Sequence, residues 1–444
     1  YIIAYTYTGL LDFSGPLQSA IRNRFELGYG EYWFPEIRSL GGAVTMLSLV
    51  LYPYVYLLAR VAFMEQSAAA LEASRSLGRG PWQTLFRVSL PLARPAIVAG
   101  LSLALMETLA DYGTVDYFGV TTFTTGIFRT WYGLGELQAA AQLAALLLLF
   151  VFSLIVLERW QRRRMRFHHN TARGKEHRLR LSPARARLSA LFLLTIIVAG
   201  FFLPASQLAY WTLQHWQANV DEHFFTLCLN SFMLAGMASA LCLCIALFLG
   251  YGKRLHPHKV EVSAVRIAGM GYGVPGTVIA VGVLIPFAWF DNHLDAFLRQ
   301  HFDYSSGLLL SGTLAALVFA YVVRFLSVSL QSVESGLAQI RPAIDESARS
   351  LGTPPLAVLR RIHLPMLRSS LLTALLLVFV DVLKELPTTL ILRPFNFNTL
   401  AVRTHELASD ERLIDAATPA LAIVLLGILP VILITRSMTT ADPS

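Results

Sequence analysis

The chain has 444 residues, of which 55% are apolar and only 14% charged, with a mean hydropathy of +0.55. A soluble domain averages about 25% charged residues, and a core of this length cannot hide so much apolar surface from water without lipid, so a soluble globular protein is excluded. The net charge of +8 is unevenly spread; it reads as a topology signal rather than a nucleic-acid footprint, and no nucleic-acid partner is expected.

Spanning a bilayer takes about 20 apolar residues. By that measure the sequence predicts ten spans: a partial one near 1–10, then 38–62, 93–117, 137–158, 187–210, 228–250, 266–288, 307–330, 366–386 and 417–435. The loops 63–94, 158–187, 251–266 and 331–368, with the tail, hold 25 of the 36 Lys and Arg residues, and the opposite loops hold 8. The richer side is therefore cytoplasmic. The remaining three, Arg60, Arg324 and Lys384, fall within spans. Cys228, Cys242 and Cys244 share one apolar stretch; they suit small hydrophobes in a helix, with neither a disulfide framework nor a metal spacing.

The segment 158–187 carries eleven basic residues and three histidines. A solvated cytoplasmic linker, a lipid-headgroup contact and a metal site from His168, His169 and His177 are all compatible with it. It separates two related halves. Residues 72–136 align without a gap on 346–410 at a constant offset of 274: Arg75-Ser76-Leu77-Gly78 meets Arg349-Ser350-Leu351-Gly352, Pro81 meets Pro355, Leu90-Pro91 meets Leu364-Pro365, and Arg129-Thr130 meets Arg403-Thr404. Both copies have the same orientation, as in transporters whose halves are related about the membrane normal. The chain opens at Tyr1 inside an apolar run, and repeat symmetry places roughly 80–90 residues, about two spans, before it.

Each copy contains a cytoplasmic loop with one layout, LEASRSLGRGPWQTLFRVSLP at 71–91 and DESARSLGTPPLAVLRRIHLP at 345–365. A helix-sized segment is broken by Gly78 or Gly352, which suit a positive φ. It restarts at Pro81 or Pro355, where a missing N–H costs nothing. Thr353 suits an N-cap, and Pro91 and Pro365 are expected to separate the loop from the next span. The resulting short helix is expected to expose Trp82 and Phe86 in one copy, and Leu359 and Ile362 in the other, as a docking element.

These loops resemble the EAA loops of ABC importer permeases, with Ser74 and Ser347 where alanines are usual. The resemblance implies that Glu72, Ala73, Gly78, Trp82, Phe86, Leu90 and Pro91, and in the second copy Glu346, Gly352, Leu359, Ile362, Leu364 and Pro365, couple the chain to an ATPase dimer. It also implies an all-α polytopic fold of two homologous bundles about a pseudo-two-fold axis, working by alternating access in a bacterial inner membrane. The domains are then 1–157, a linker at 158–186, and 187–444. No G-x-x-x-x-G-K-[ST] loop, catalytic triad or zinc spacing occurs; the chain itself holds no cofactor, and ATP and Mg belong to the partner.

Beyond the loops, the segments 106–136 and 381–411, with the outer segment 10–40, resemble the fused permease of ferric-iron ABC importers, which implies a periplasmic iron-binding protein and Fe³⁺ as cargo. Fused permeases for thiamine, phosphonates and polyamines look similar. Glu107 and Asp111 are spaced to share a helix face, and Asp381 and Glu385 hold the equivalent places, with Lys384 between them. Ionisable groups at membrane depth face a cavity or a partner. With Tyr112 and Tyr117 near, hard oxygens suit a hard cation; alternatively the carboxylates pair with each other or with Arg129 and Arg403 and brace a gate. No metal ligand is assigned. A secondary transporter accounts for the repeat and the buried charges but not for the duplicated loop, and two symmetric carboxylate pairs suit a pathway better than the active site of a membrane enzyme.

Overall fold

The computed structural model describes residues 1–28, 30–66, 68–163, 181–256 and 258–439. Among the described residues every regular element is a helix. Lipid offers the backbone no hydrogen bonds, so a spanning helix must satisfy its own.

In the first half, α1 (Ile2–Leu11) and α2 (Pro16–Phe25) precede α3 (Leu40–Met64). The loop helices α4 (Ala68–Ser76) and α5 (Pro81–Thr84) lead through a π-helical turn, Leu85–Ser89, into α6 (Leu90–Ala110). Short outer helices α7 (Gly113–Tyr117) and α8 (Phe123–Phe128) then lead to α9 (Leu137–Arg163). The second half opens with α10 (Pro183–Ile197), a π-helical turn at Val198–Phe202, α11 (Leu203–Asn219), α12 (Glu222–Leu255) and α13 (Lys259–Ala268). It continues with α14 (Gly276–Phe302), α15 (Leu314–Gln339), α16 (Pro342–Ser350), α17 (Pro355–Val358), a π-helical turn at Leu359–His363 and α18 (Leu364–Leu383). The outer helices α19 (Pro387–Leu392) and α20 (Leu400–Ser409) and the last helix α21 (Leu413–Thr439) complete it. Among the described residues eight helices are long and apolar enough to cross a membrane.

The repeat extends well beyond the docking loops. α1, α3, α4, α5, α6 and α7 each begin 274 residues before α14, α15, α16, α17, α18 and α19. The halves pack reciprocally: α9 lies against α14, and its counterpart α21 lies against α1. Such exchange of equivalent contacts is what a two-fold relation produces. The halves differ where the first has Asp12-Phe13-Ser14-Gly15-Pro16. There the chain leaves the helix after Leu11 and restarts at Pro16, whereas α14 runs unbroken to Phe302 and closes on Asp303 in the left-handed region.

Local chemistry sets the boundaries. Ser39, Asp221 and Thr399 cap α3, α12 and α20 by accepting from Gly42 N, Phe224 N and Val402 N at 3.1, 2.7 and 3.3 Å, each satisfying an otherwise orphaned donor. Small buried residues let helices approach closely where no hydrophobic drive separates protein from lipid: Ala235, Ala238 and Ala246 of α12 meet Ala316 and Ala320 of α15 and its neighbours. Large side chains point outward, among them Leu149 and Phe150 on α9 and Leu188 and Phe192 on α10, as lipid-facing surfaces require.

Three expectations are corrected. The span placed at 266–288 is the longer α14, beginning at Gly276: the glycines at 269, 271 and 273 interrupt the apolar run, and Pro275 precedes the new helix. Pro91 and Pro365 do not separate loop from span, because the backbone stays helical from Pro81 to Ala110 and from Pro355 to Leu383. A proline ring collides with the carbonyl four residues back, and the wide π-helical turns ahead of both prolines relieve this. Thr353 is not an N-cap; Pro354 holds that place, without a side-chain bond. Of the basic segment, 164–180, with His168, His169 and His177, lies outside the described residues, and the three cysteines are free.

Candidate functional site

Both docking loops are closed by the same backbone device. Gly78 and Gly352 take φ of +77° and +73°, and neither has an atom within 4 Å of where a Cβ would stand, so conformation rather than space favours glycine there. After each glycine the next N–H reaches back, Arg79 N to Ser74 O at 3.2 Å and Thr353 N to Ala348 O at 3.0 Å. This is the closure that satisfies the last carbonyls of a helix.

The loop corners expose apolar side chains. Leu77 and Trp82 are 75% and 72% exposed, and their counterparts Leu351 and Leu356 are 83% and 74% exposed. Trp82 stacks on the exposed Phe86 at 6.2 Å between ring centroids. In the second loop the expected pair Leu359 and Ile362 is half-buried against the bundle, so the exposed surface there is Leu351 and Leu356 instead. Helical phase explains the difference: residue 360, which corresponds to Phe86, is an arginine. Glu72, Ala73, Glu346, Pro91 and Pro365 are exposed, as is Leu90, whereas Leu364 is half-buried. Ser74 is buried and hydrogen-bonded to Thr84 at 3.0 Å; Ser347 is exposed and bonds its own helix at Ala343 O.

A cavity of about 540 Å³ lies between the halves. Glu107, Asp111 and Tyr112 line it from the first half, and Arg324, Asp381, Lys384 and Glu385 from the second. The repeat is visible in the bonding. Asp111 accepts from Thr114 N and Oγ1 at 3.1 and 3.0 Å, and Glu385 accepts from Thr388 N and Oγ1 at 3.3 and 2.6 Å. Each carboxylate thus starts the outer helix that follows it. Asp111 therefore lies past the end of α6 and does not continue its face from Glu107.

The two pairs differ in their countercharges. Glu385 meets Arg324 at 2.9 Å with both side chains buried, and Asp381 meets Lys384 at 2.9 Å with Lys384 half-exposed. The counterparts of Arg324 and Lys384 are Val50 and Ala110. Among the described residues no side chain forms an ion pair with Glu107 or Asp111. Four carboxylates share the cavity with two cations, an excess of negative charge when all are ionised. Gly276 makes room for the buried pair: a Cβ there would collide with Arg324, Glu385 and Thr388.

Arg129 and Arg403 do not pair with the cavity carboxylates. Arg129 is exposed, and Arg403 lies 3.7 Å from Glu406 on its own helix. The expected set of hard oxygens does not assemble either. Tyr112 stacks on Phe128 at 3.9 Å and is hydrogen-bonded to Asp116, while Tyr117 packs on Tyr5. Among the described residues no group of three or more acidic, His or Cys side chains is placed to hold a metal. Above the cavity, burial pushes the Asp116 carboxyl up from its ordinary range and pushes His405, 3.6 Å away, below its own. Arg324 is the principal site residue that motif reading leaves out; its signal is a lone arginine inside a span.

An all-helical, multi-pass membrane protein built from two repeats, with a charged cavity between them and paired loops on one face, is a transport permease in architecture. Residues 33–167 and 242–444 match the family described as binding-protein-dependent transport system inner membrane component, and the chain belongs to that family. The Fe(3+)-transport system permease protein FbpB 2 of Haemophilus influenzae is 26% identical over 400 residues, covering 89% of this chain and 76% of that protein. The chain spans about half the length of two other ferric permease relatives. The putative 2-aminoethylphosphonate transport system permease protein PhnV of Salmonella typhimurium is 25% identical over 264 residues, 56% of this chain and 92% of that protein. Among solved structures, a bacterial alginate ABC transporter in complex with its alginate-bound periplasmic protein gives a TM-score of 0.45 at 14% identity, over 57% of this chain and 93% of that one.

Proposed function

We propose that this chain is the permease subunit of an ATP-driven importer, loaded at its outer face by a binding protein and driven by a separate ATPase dimer that holds ATP and Mg. Its two permease domains, 1–157 and 187–444, are joined by the basic linker 158–186, whose charge assigns it to the cytoplasmic side of the inner membrane. The observation that carries this reading is the duplicated loop. Two glycine corners with the same positive φ present paired apolar residues, Leu77 with Trp82 and Leu351 with Leu356, on the side richest in Lys and Arg. A solvated connection has no use for that much exposed apolar surface.

The cargo favoured is ferric ion. The relative covering the larger share of this chain is a ferric permease, and a cavity with more carboxylates than cations favours a cation over an anion. The phosphonate permease PhnV supplies the second reading. In either case Glu107, Asp111, Asp381 and Glu385 line the route, and alternating access follows when ATP closes the ATPase dimer and moves both loops together.

Right-side-out vesicles loaded with ATP and given binding protein with labelled ferric ion, 2-aminoethylphosphonate or molybdate test this. ATP-dependent accumulation of ferric ion alone supports the reading. Accumulation of an anion instead reassigns the cargo. Accumulation driven by a proton gradient without ATP defeats the importer assignment.

A further inference from the structure

The two docking loops are attached to the bundle in different ways. In the second loop a single carboxylate, Asp345 on α16, joins three elements. Its Oδ2 accepts from Arg254 Nε at 2.8 Å, and its Oδ1 lies 2.7 Å from His363 Nε2. Arg254 stands at the cytoplasmic end of α12, and His363 ends the π-helical turn on the far arm of the loop. Arg254 also donates to Leu337 O, and to Ile340 O at 2.9 Å, where α15 ends. Tyr251, one turn earlier on α12, donates to Pro355 O at 2.7 Å and sets its ring edge-on to His363 at 5.4 Å. The cluster is sheltered: His363 is fully buried, and the side chains of Asp345 and Arg254 are 14% and 16% exposed.

Among the described residues the first loop has no such carboxylate cluster. The repeat counterparts of Asp345 and His363 are Leu71 and Ser89. The two arms of that loop meet instead through the neutral Ser74–Thr84 hydrogen bond, and Gln66 donates to Ser89 O at 2.8 Å. In the second loop the residues at the Ser74 and Thr84 places are Ala348 and Val358, both buried.

We infer that Asp345, with Arg254, His363 and Tyr251, is a latch that fixes the second docking loop rigidly to α12, so that movement of that loop is passed to α12 and on to the α12–α15–α18 bundle beside the cavity. Asp345 is a positioning residue: it faces the bundle rather than the docking partner, while Leu351 and Leu356 form the exposed surface. The Arg254–Asp345 bond is charged and directional and lies in a sheltered site, where it is stronger than at a wet surface. A loop tied to α12 at both Asp345 and Pro355, with His363 of its far arm against the same carboxylate, cannot pivot freely about its ends. The inference rests on the importer reading for what the movement does, but not for the existence of the latch.

Two measurements test it. The first needs no partner: hydrogen exchange of the full wild-type chain in micelles, comparing residues 345–354 with 71–80. Exchange at least tenfold slower in the second loop is expected, and equal exchange in the two loops overturns the latch. The second uses the assembled transporter and compares uptake per ATP hydrolysed, stimulation by binding protein, and the amount of ATPase that co-purifies. Asp345→Asn is expected to keep the complex assembled and its basal hydrolysis intact while uptake per ATP falls about tenfold; Asp345→Glu recovers most of that ratio, and Leu71→Ala leaves it unchanged. A merely structural Asp345 lowers assembled complex and uptake together at a constant ratio, and that result overturns the proposal. If Asp345→Asn fails to assemble, Tyr251→Phe, which removes only the bond to Pro355, must lower the same ratio at least twofold or the proposal falls. Wild-type complex that couples no uptake to ATP defeats the importer reading, while the exchange measurement still decides the latch.

Discussion

Glu107 and Asp111 in the first half, and Asp381 and Glu385 in the second, occupy equivalent places in a repeat whose register never slips over the paired helices, yet they live under different electrostatics. The second pair is bonded to Lys384 and Arg324; the first meets alanine and valine at those places. Symmetry of backbone therefore does not carry symmetry of charge. The second half pairs both carboxylates with its own cations, Glu385 with a buried arginine and Asp381 with a half-exposed lysine, whereas among the described residues the carboxylates of the first half line the cavity without an ion pair.

The largest expected effect tests this division directly. Arg324→Met strands Glu385 in a buried site, and removing one partner of such a pair costs about 3–5 kcal/mol. Folded yield by size-exclusion of detergent extracts should collapse and be partly restored by adding Glu385→Gln. Glu107→Gln should leave that yield within error; if it is as damaging as Arg324→Met, the contrast between the halves fails. Next comes Gly276→Ala, which drives a methyl into Arg324, Glu385 and Thr388. Overpacking of this kind costs about 3 kcal/mol at the upper end of its usual range. The equivalent residue of the first half is Ile2, where no such cluster exists to be disturbed.

The halves also differ above the cavity, where His405 takes the place of Trp131. Burial holds its folded pKa below the ordinary value of about 6.5. Folding thus favours the neutral ring. The stability this confers is present above about pH 6.5 and is lost as the pH falls below it. Thermal unfolding in detergent should show this slope, and His405→Gln should flatten it. The smallest changes in stability concern the docking loops. Gly78→Ala and Gly352→Ala each strain a left-handed corner by about 1 kcal/mol, which unfolding midpoints will register. Trp82→Ala should shift stability by less than about 0.5 kcal/mol, as exposed positions do. It should nevertheless weaken ATPase association about tenfold, as the loss of an aromatic anchor does; Leu356→Ala, the smaller counterpart, should weaken it less.

The spans and their pairing were legible because apolar length, positive charge and a repeat at constant offset are all properties of the string. The corners at Gly78 and Gly352 were legible because few residues tolerate positive φ. Other features depended on three-dimensional phase. Leu359 and Ile362 read as exposed until the π-helical turn set which way they face. Arg129 and Arg403 looked like partners for the carboxylates, but α20 turns Arg403 toward Glu406. The pairing of Arg324 with Glu385 joins residues 61 apart, one on α15 and the other in the turn between α18 and α19, and no local pattern announces it. Asp111 and Glu385 carried the same difficulty: spacing alone does not distinguish a side chain that faces a cavity from one that also starts the next helix.

The π-helical turns that accommodate Pro91 and Pro365 have a geometric consequence. A wide turn holds one residue more than an α-helical pathway over the same rise, and one residue corresponds to about 100° of rotation about the helix axis. The docking segment ahead of each turn is thus set at a different azimuth from the span behind it, while the two remain one continuous rod. Under the proposed docking role, torque applied at Trp82 or Leu356 would travel along that rod toward the end carrying Glu107 or Asp381 and be redirected on the way. Deleting a single residue within 85–89 or 359–363 would straighten the winding and swing the docking face by that angle, so the extra residue sets the azimuth of the docking face relative to the span.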